Sequence, residues 1–252
     1  YEYTYGRQNW FDYTAAECKA TREAVAMFDQ SSFGKFVLEG ADAEQIINNV
    51  SANDMSVPVG KLVYTQWLNE RGGIEADLTV TREAADRYLV VTAAATQVRD
   101  FQWLKNHIPA DARATLTDVT SGSAVLSIMG PNSRALLQSL TSTDMSNEAF
   151  PFGTSQIIDL GYARVRASRV TFVGELGWEL YIATEYATGV FDAIVAVGDK
   201  FGLKHAGYHA LNSMRTEKGY RHWSHDISPD DSPIEAGLGF TVAWNKAGGF
   251  IG

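Results

Sequence analysis

The chain has 252 residues, a formal net charge of −9 and a single cysteine, with 45% apolar and 12% aromatic residues. That length buries a substantial core without staples, and one cysteine leaves neither a disulfide framework nor a multi-cysteine zinc or iron–sulfur site. Thirty acids against 21 bases, with no basic run and no stretch near the ~20 apolar residues of a membrane span, point away from nucleic acid and membrane as partners.

In chain order, Thr14–Phe28 reads as a helix, with Thr14 and Glu17 at capping-box spacing and Cys18, Val25 and Phe28 on one face. Lys35–Leu38 reads as a strand and Asp42–Val50 as a second helix with Ile46, Ile47 and Val50 inward. A hairpin follows: Tyr64–Leu68, a turn at Asn69–Gly73, and Ile74–Thr81. Gly72-Gly73 supplies the positive φ the turn needs. Ile74, Ala76, Leu78 and Val80 alternate with Glu75, Asp77, Thr79 and Thr81. Arg87–Ala93 is a further strand, and Thr96–Lys105 a helix capped by Thr96. Strand Ala124–Met129 leads through Gly130-Pro131-Asn132 into a helix ending at Leu140. Ile157–Leu160, Ala163–Val173 and Trp178–Ile182 read as strands, Glu185–Phe201 and Tyr208–Gly219 as helices, and Gly239–Trp244 as a final strand. Tight hairpins mixed with helices indicate an α+β fold with antiparallel sheets. No glycine-rich phosphate loop follows a strand, which disfavours nicotinamide, flavin or ATP binding here.

Asp is a poor strand former, so Asp77 in mid-strand fits either an exposed face or a carboxylate turned toward a pocket, where it stabilises a cation or takes a proton. Glu179 alternates with Trp178 and Leu180; it reads as a solvated strand residue or as a bidentate acceptor for a planar N–H edge. Arg215 fits a surface ion pair or a clamp for a carboxylate tail. The run His222-Trp223-Ser224-His225-Asp226 invites a metal reading, but neighbouring Pro229 and Pro233 favour a hydrogen-bonded loop, so no metal is assigned. No Gly-x-Ser-x-Gly elbow is present, and Cys18 reads as buried and inert.

Six pieces in order resemble the glycine-cleavage T-protein (aminomethyltransferase) family. They are Met27-Phe28-Asp29-Gln30-Ser31-Ser32, Leu68–Gly73 with Asp77-Leu78, Gly130-Pro131-Asn132, Val173–Leu180, Arg215-Thr216-Glu217 and Pro233–Gly239. Tyr5–Phe11 and Phe28–Phe36 are similar to the folate region of dimethylglycine and sarcosine dehydrogenases or oxidases. There a flavin (FAD) domain oxidises an N-methyl amine and a T-protein-like region captures the one-carbon unit on tetrahydrofolate.

The resemblance implies two intertwined α+β subdomains, 1–40 with 121–252 and an insert at 41–120, and a C-terminal barrel that would lie beyond Gly252. The opening Tyr1 and the abrupt end read as a piece cut from a longer polypeptide, with a covalently linked flavin domain upstream of Tyr1. Asp77 is implied to sit beside the reacting folate nitrogens, Glu179 at the pterin edge, and Tyr64, Arg215 and Trp223 along the folate site. Thr92 and Phe172 are implied to line the folate site as well, although they stand where relatives commonly carry Asn and Tyr, and Ala76 stands where relatives carry a first Asp. The implied function is transfer of a methylene unit from an oxidised N-methyl amine to give 5,10-methylenetetrahydrofolate. The alternatives are an O- or S-demethylase of the same fold and a non-catalytic interaction module. The implied compartment is the cytoplasm or, alternatively, the mitochondrial matrix.

Overall fold

The computed structural model describes all 252 residues, Tyr1–Gly252. In chain order the elements are α1 (Phe11–Glu23), β1 (Val25–Asp29), β2 (Gly34–Glu39), α2 (Ala43–Val50), β3 (Leu62–Leu68), β4 (Ile74–Ala84), β5 (Arg87–Thr92), α3 (Gln97–Asn106), β6 (Thr115–Asp118), β7 (Ser123–Met129), α4 (Ser133–Gln138), β8 (Ser155–Leu160), β9 (Ala163–Ser168), β10 (Gly177–Ala183), α5 (Ala187–Gly198), β11 (Leu203–Ala206) and α6 (Tyr208–Glu217). The α+β class with antiparallel sheets holds. No helix is long and apolar enough to cross a membrane.

The chain divides into two compact units, one of Tyr1–Ser31 with Gly122–Tyr220 and one of Ser32–Ser121 with Arg221–Gly252. The first contains a six-stranded sheet in the order β11-β1-β7-β10-β9-β8. β1 pairs with β11 in parallel and with β7 antiparallel. Alternation divides the side chains of β10 between the two faces of the sheet. Trp178, Leu180 and Ile182 join Val25, Met27 and Ile128 in a core closed by Leu136 of α4 and by Val190 and Ile194 of α5. On the other face, Ala26 and Phe28 of β1 meet Ala210 and Met214 of α6, with Cys18 of α1 beside them.

This two-sided burial explains where the periodicity misleads. The expected helix Thr14–Phe28 ends at Glu23, and Val25–Asp29 is a strand. A strand buried on both faces has no period-two signature and is easily read as the end of an apolar helix. The expected capping box does not form. Trp10 occupies the cap position, and Glu17 Oε2 instead accepts the backbone N–H of Gly207 at 3.0 Å. The four-residue strands β6 and β11 carry too few residues to show a pattern. The expected strand at Gly239–Trp244 is instead a single 3-10 turn at Gly239–Thr241.

The second unit is built on a five-stranded sheet, β3-β4-β5-β2-β6, antiparallel throughout. The β3–β4 turn is organised by Asn69, whose Oδ1 accepts the backbone N–H of Arg71 and of Gly73 at 3.0 Å each. One sheet face carries Trp67, Ala76, Leu78 and Val80 against Ile46, Ile47 and Val50 of α2 and Leu104 of α3. Trp67 stacks on Trp103 of α3 with ring centroids 5.1 Å apart. Each fully buried Ile or Leu there contributes about 1.5–3 kcal/mol of apolar transfer.

The segment 221–252 returns to this unit. Ile227, Ala236, Leu238 and Val242 pack on Ala52, Leu68 and Ile74. Lys246 Nζ donates to the carbonyls of Asn48 at 2.7 Å and Asn53 at 2.9 Å, and to that of Ser51. The boundaries therefore differ from the expected single insert at 41–120. The unit runs over 32–121 and includes the last 32 residues, from Arg221 to Gly252, because the hairpin leaves Leu68 and Ile74 to be covered by a segment remote in sequence.

The hairpin glycines separate two costs. At Gly73 an added Cβ would lie 1.8 Å from the Pro229 carbonyl oxygen, whereas at Gly72 (φ +83°) the nearest atom would be 3.9 Å away. Gly72→Ala should lower the unfolding free energy by about 1–2 kcal/mol, the cost of a left-handed backbone. Gly73→Ala should cost about 3 kcal/mol through overpacking. Urea unfolding measures both, and only Gly73→Ala should also shift Trp223 fluorescence, because only it displaces the segment beside Pro229.

Candidate active site

Asp77 owes its surroundings to hairpin register. β3 and β4 pair Gln66 directly opposite Asp77 and Tyr64 opposite Thr79. Gln66 Nε2 donates to Asp77 Oδ1 at 2.8 Å, and the Tyr64 hydroxyl, on the same face, also hydrogen-bonds Asp77. Behind Gln66, which is fully buried, the Thr241 hydroxyl lies against Gln66 Oε1. Burial pushes the Asp77 carboxyl up to about 6, although the bonds from Gln66 and Tyr64 favour its ionised form; the Asp100 carboxylate adds to the rise. Burial, with the Asp77 charge behind it, pushes the Tyr64 phenol well above its usual range. The result is a carboxyl that exchanges a proton near neutrality.

The other site residues of this unit have their own partners. Thr92 is buried and its hydroxyl bonds Asp100 Oδ2, as does Thr96 Oγ1 at 2.7 Å. Thr96 therefore holds Asp100 instead of capping α3, and Thr92 reaches the Asp77 neighbourhood only through Asp100. Trp223 Nε1 donates to the Ile74 carbonyl at 2.9 Å. The Arg99 guanidinium sits 4.3 Å from the Trp223 ring centroid and donates to the Glu75 carbonyl at 2.6 Å. One face of the indole is thus occupied by a cation–π contact. The rings of His222 and His225 stack 4.1 Å apart, and the Asp226 carboxylate accepts the His222 backbone N–H at 2.8 Å. No group of three His, Cys, Asp or Glu side chains is placed to hold a metal.

The remaining site residues lie in the first unit. Glu179 is 7% exposed, not solvated, and the Tyr181 hydroxyl donates to its Oε2 at 2.6 Å. Burial raises the Glu179 carboxyl above its ordinary range, and Tyr181 only partly offsets this. Arg215 is 5% exposed. Its Nε and Nη2 donate to Asn212 Oδ1 at 2.9 and 2.7 Å, and its Nη1 to the Tyr220 carbonyl at 3.0 Å. It therefore ties the end of α6 to the following loop. Phe172 stacks on Tyr220 with centroids 6.1 Å apart, which brings Phe172 and Arg215 to the same residue. Within each unit, then, Tyr64 joins Asp77, Phe172 joins Arg215 through Tyr220, and Glu179 pairs with Tyr181.

Residues 1–246 match the family described as the GCVT N-terminal domain. The chain belongs to this family. It is 46% identical over 252 residues to 4-methylaminobutanoate oxidase (formaldehyde-forming) of Paenarthrobacter nicotinovorans, covering all of this chain and 30% of that protein. It is 42% identical over 265 residues to human mitochondrial sarcosine dehydrogenase, covering all of this chain and 29% of that protein. The chain thus spans about a third of the length of these relatives. The crystal structure of the glycine cleavage system aminomethyltransferase T from Bartonella henselae superposes with a TM-score of 0.81 at 26% identity, over 92% of this chain and 61% of that one.

Gln66, Thr241 and Tyr181 were not among the residues singled out from sequence. Counting outward from the Asn69–Gly73 turn brings Gln66 within one position of Asp77. Tyr181, two residues after Glu179, necessarily shares its face. Nothing local marks Thr241, which is 175 residues from Gln66.

The raised Asp77 carboxyl fixes a pH dependence of stability. Its folded value of about 6 lies above the ordinary aspartate value of 3.8. Its contribution to stability is therefore fully present below about 4 and is lost as pH rises through about 6. Asp77→Asn should flatten this slope and leave the protein about 2 kcal/mol more stable relative to wild type at pH 7.5 than at pH 4. Thermal or urea unfolding at the two pH values measures the difference.

Proposed function

We propose that the chain is the one-carbon transfer region of a folate-dependent enzyme acting on N-methyl amines. The observation that carries this reading is the Asp77 carboxyl, buried to a near-neutral titration and held by Tyr64 and Gln66. Membership of the GCVT family and likeness to oxidases and dehydrogenases of N-methyl amino acids support it.

The residues present fit tetrahydrofolate. Glu179 is a nearly buried carboxylate whose one hydrogen bond comes from Tyr181 through Oε2, leaving Oε1 as an acceptor for a pterin N–H edge. Trp223 offers an aromatic surface pinned by Ile74 and Arg99. Arg215 fits a supporting role better than a tail clamp, since its guanidinium is buried and engaged by Asn212 and Tyr220.

Tetrahydrofolate, when bound, supplies the nitrogen nucleophile that captures the one-carbon unit. The chain's own residues do the rest. Asp77, ionised above about 6, stabilises the cationic carbon donor, accepts the proton shed by the attacking nitrogen and returns it to the donor amine as the bond from that amine to the carbon breaks. Tyr64 and Gln66 keep its oxygens oriented while it does so. No cation bonds the carboxyl directly, and burial keeps its field strong because few waters compete with it.

Calorimetry with tetrahydrofolate tests binding, and no heat of binding at millimolar ligand would overturn the reading. Asp77→Asn should lower the transfer rate roughly a hundredfold or more, the usual weight of a general base, with folate affinity little changed. The one-carbon oxidation level of the folate product separates methylene transfer from O- or S-demethylation, which leaves a methyl group.

A further inference from the structure

The hydrogen bonds behind Asp77 contain one hydroxyl proton facing two acceptors. Thr241 Oγ1 lies 2.7 Å from the Leu238 carbonyl oxygen and also against Gln66 Oε1, and a threonine hydroxyl has one hydrogen. A carboxylate can only accept, so with Asp77 ionised the Gln66 amide must turn Nε2 toward Asp77. Its Oε1 then accepts from Thr241. With Asp77 protonated, the opposite arrangement is equally complete. Asp77 O–H donates to Gln66 Oε1, Gln66 Nε2 donates to Thr241 Oγ1, and the Thr241 hydroxyl turns to the Leu238 carbonyl. Neither state leaves a buried polar atom of Gln66 or Thr241 unpaired, which would otherwise cost about 1–3 kcal/mol.

We propose that Gln66 and Thr241 form a reversible relay whose hydrogen bonds reverse direction when Asp77 gains or loses a proton, which makes them positioning residues for the proton-accepting step. No covalent proton passes along the relay. One proton joins Asp77, and the amide and the hydroxyl reorient. The titratable and charged groups facing the site are the neutral Tyr64 phenol on β3, Glu75 on β4, and Asp100 and Arg99 on α3, with Arg221 entering from the C-terminal segment. None of these lies between Asp77 and the relay, since Gln66 pairs directly opposite Asp77. Tyr64 gives its hydroxyl to the Asp77 carboxyl, and its phenol oxygen also bonds the Gln66 amide. The Leu238 carbonyl completes the relay because the Gly239–Thr241 turn folds Thr241 back over it.

The kinetic consequence rests on Asp77 acting as proposed above; the relay itself does not. The test is therefore run first without folate, on the 252-residue chain, by NMR between pH 4.5 and 8. The Gln66 side-chain amide, assigned by its loss in Gln66→Met, and the Thr241 side-chain signals should shift with the Asp77 carboxyl carbon at one midpoint near 6. Gln66→Met removes the donor to the carboxylate and should raise the Asp77 midpoint. Thr241→Val should move that midpoint, and Thr241→Ser, which keeps the hydroxyl, should restore it. In turnover, Gln66→Met should shift the acid limb of the rate profile upward by about one pH unit, a tenfold loss of rate below the midpoint. An Asp77 titration through which Thr241 and the Gln66 amide stay flat would overturn the relay. An unmoved midpoint in Gln66→Met would do the same. A responsive relay in a chain that fails to bind tetrahydrofolate would leave this inference standing and remove the proposed function instead.

Discussion

Asp77 is buried opposite an amide, not opposite a cation, and most of the second unit serves that placement. An Arg or Lys partner would hold the carboxyl far below neutrality. Gln66 and Tyr64 supply hydrogen bonds without charge, so burial dominates and the group titrates at about 6. The arrangement needs an antiparallel hairpin in the right register. The Asn69 side chain, bonded to two backbone N–H groups in the turn, helps set that register. It also needs a cover over the polar face, which is provided by the segment beyond Arg221.

The carboxylates beside α1 in the first unit are paired with a cation instead. Arg22 pairs with Glu175 at 2.9 Å and Glu217 at 2.8 Å, and Arg215 is bonded to Asn212 of its own helix and to the Tyr220 carbonyl just beyond it. Those cations hold α1, α6 and the loop before β10 together. Glu179 is the exception: a carboxyl on a strand buried on both sides, with a tyrosine hydroxyl as its partner. Asp77 and Glu179 thus share one device, a buried acid satisfied by neutral donors. That device suits a group which must meet a ligand or a proton better than one which only stabilises a fold, since a buried charge without a cation costs stability.

Legibility from sequence followed locality. The β3–β4 hairpin was plain, because alternation and a Gly-Gly turn are written within about twenty residues. So were α2 and α5, whose apolar stripes repeat at helical spacing. The run Val25–Asp29 was misread as helix because it is buried on both faces, and both kinds of buried segment look apolar throughout. The compact units differ from the subdomains the resemblance implies because Leu238 and Val242 pack on Leu68 and Ile74, far earlier in the sequence. Thr92 and Arg215 read from the resemblance as ligand contacts; the structure gives each a protein partner of its own.

The sequence by itself determined the fold class and the family, and it marked Asp77 and Glu179 as candidate site acids. Each of these rests on short-range order: alternation, turn chemistry and motifs a few residues long. Only the tertiary structure decided how those acids behave. A carboxyl's proton affinity depends on solvent exclusion and on donors brought from other strands, and Thr241 reaches Gln66 across 175 positions. No local pattern records such a contact, because the chain entropy spent in closing so long a loop is repaid by the packed unit as a whole.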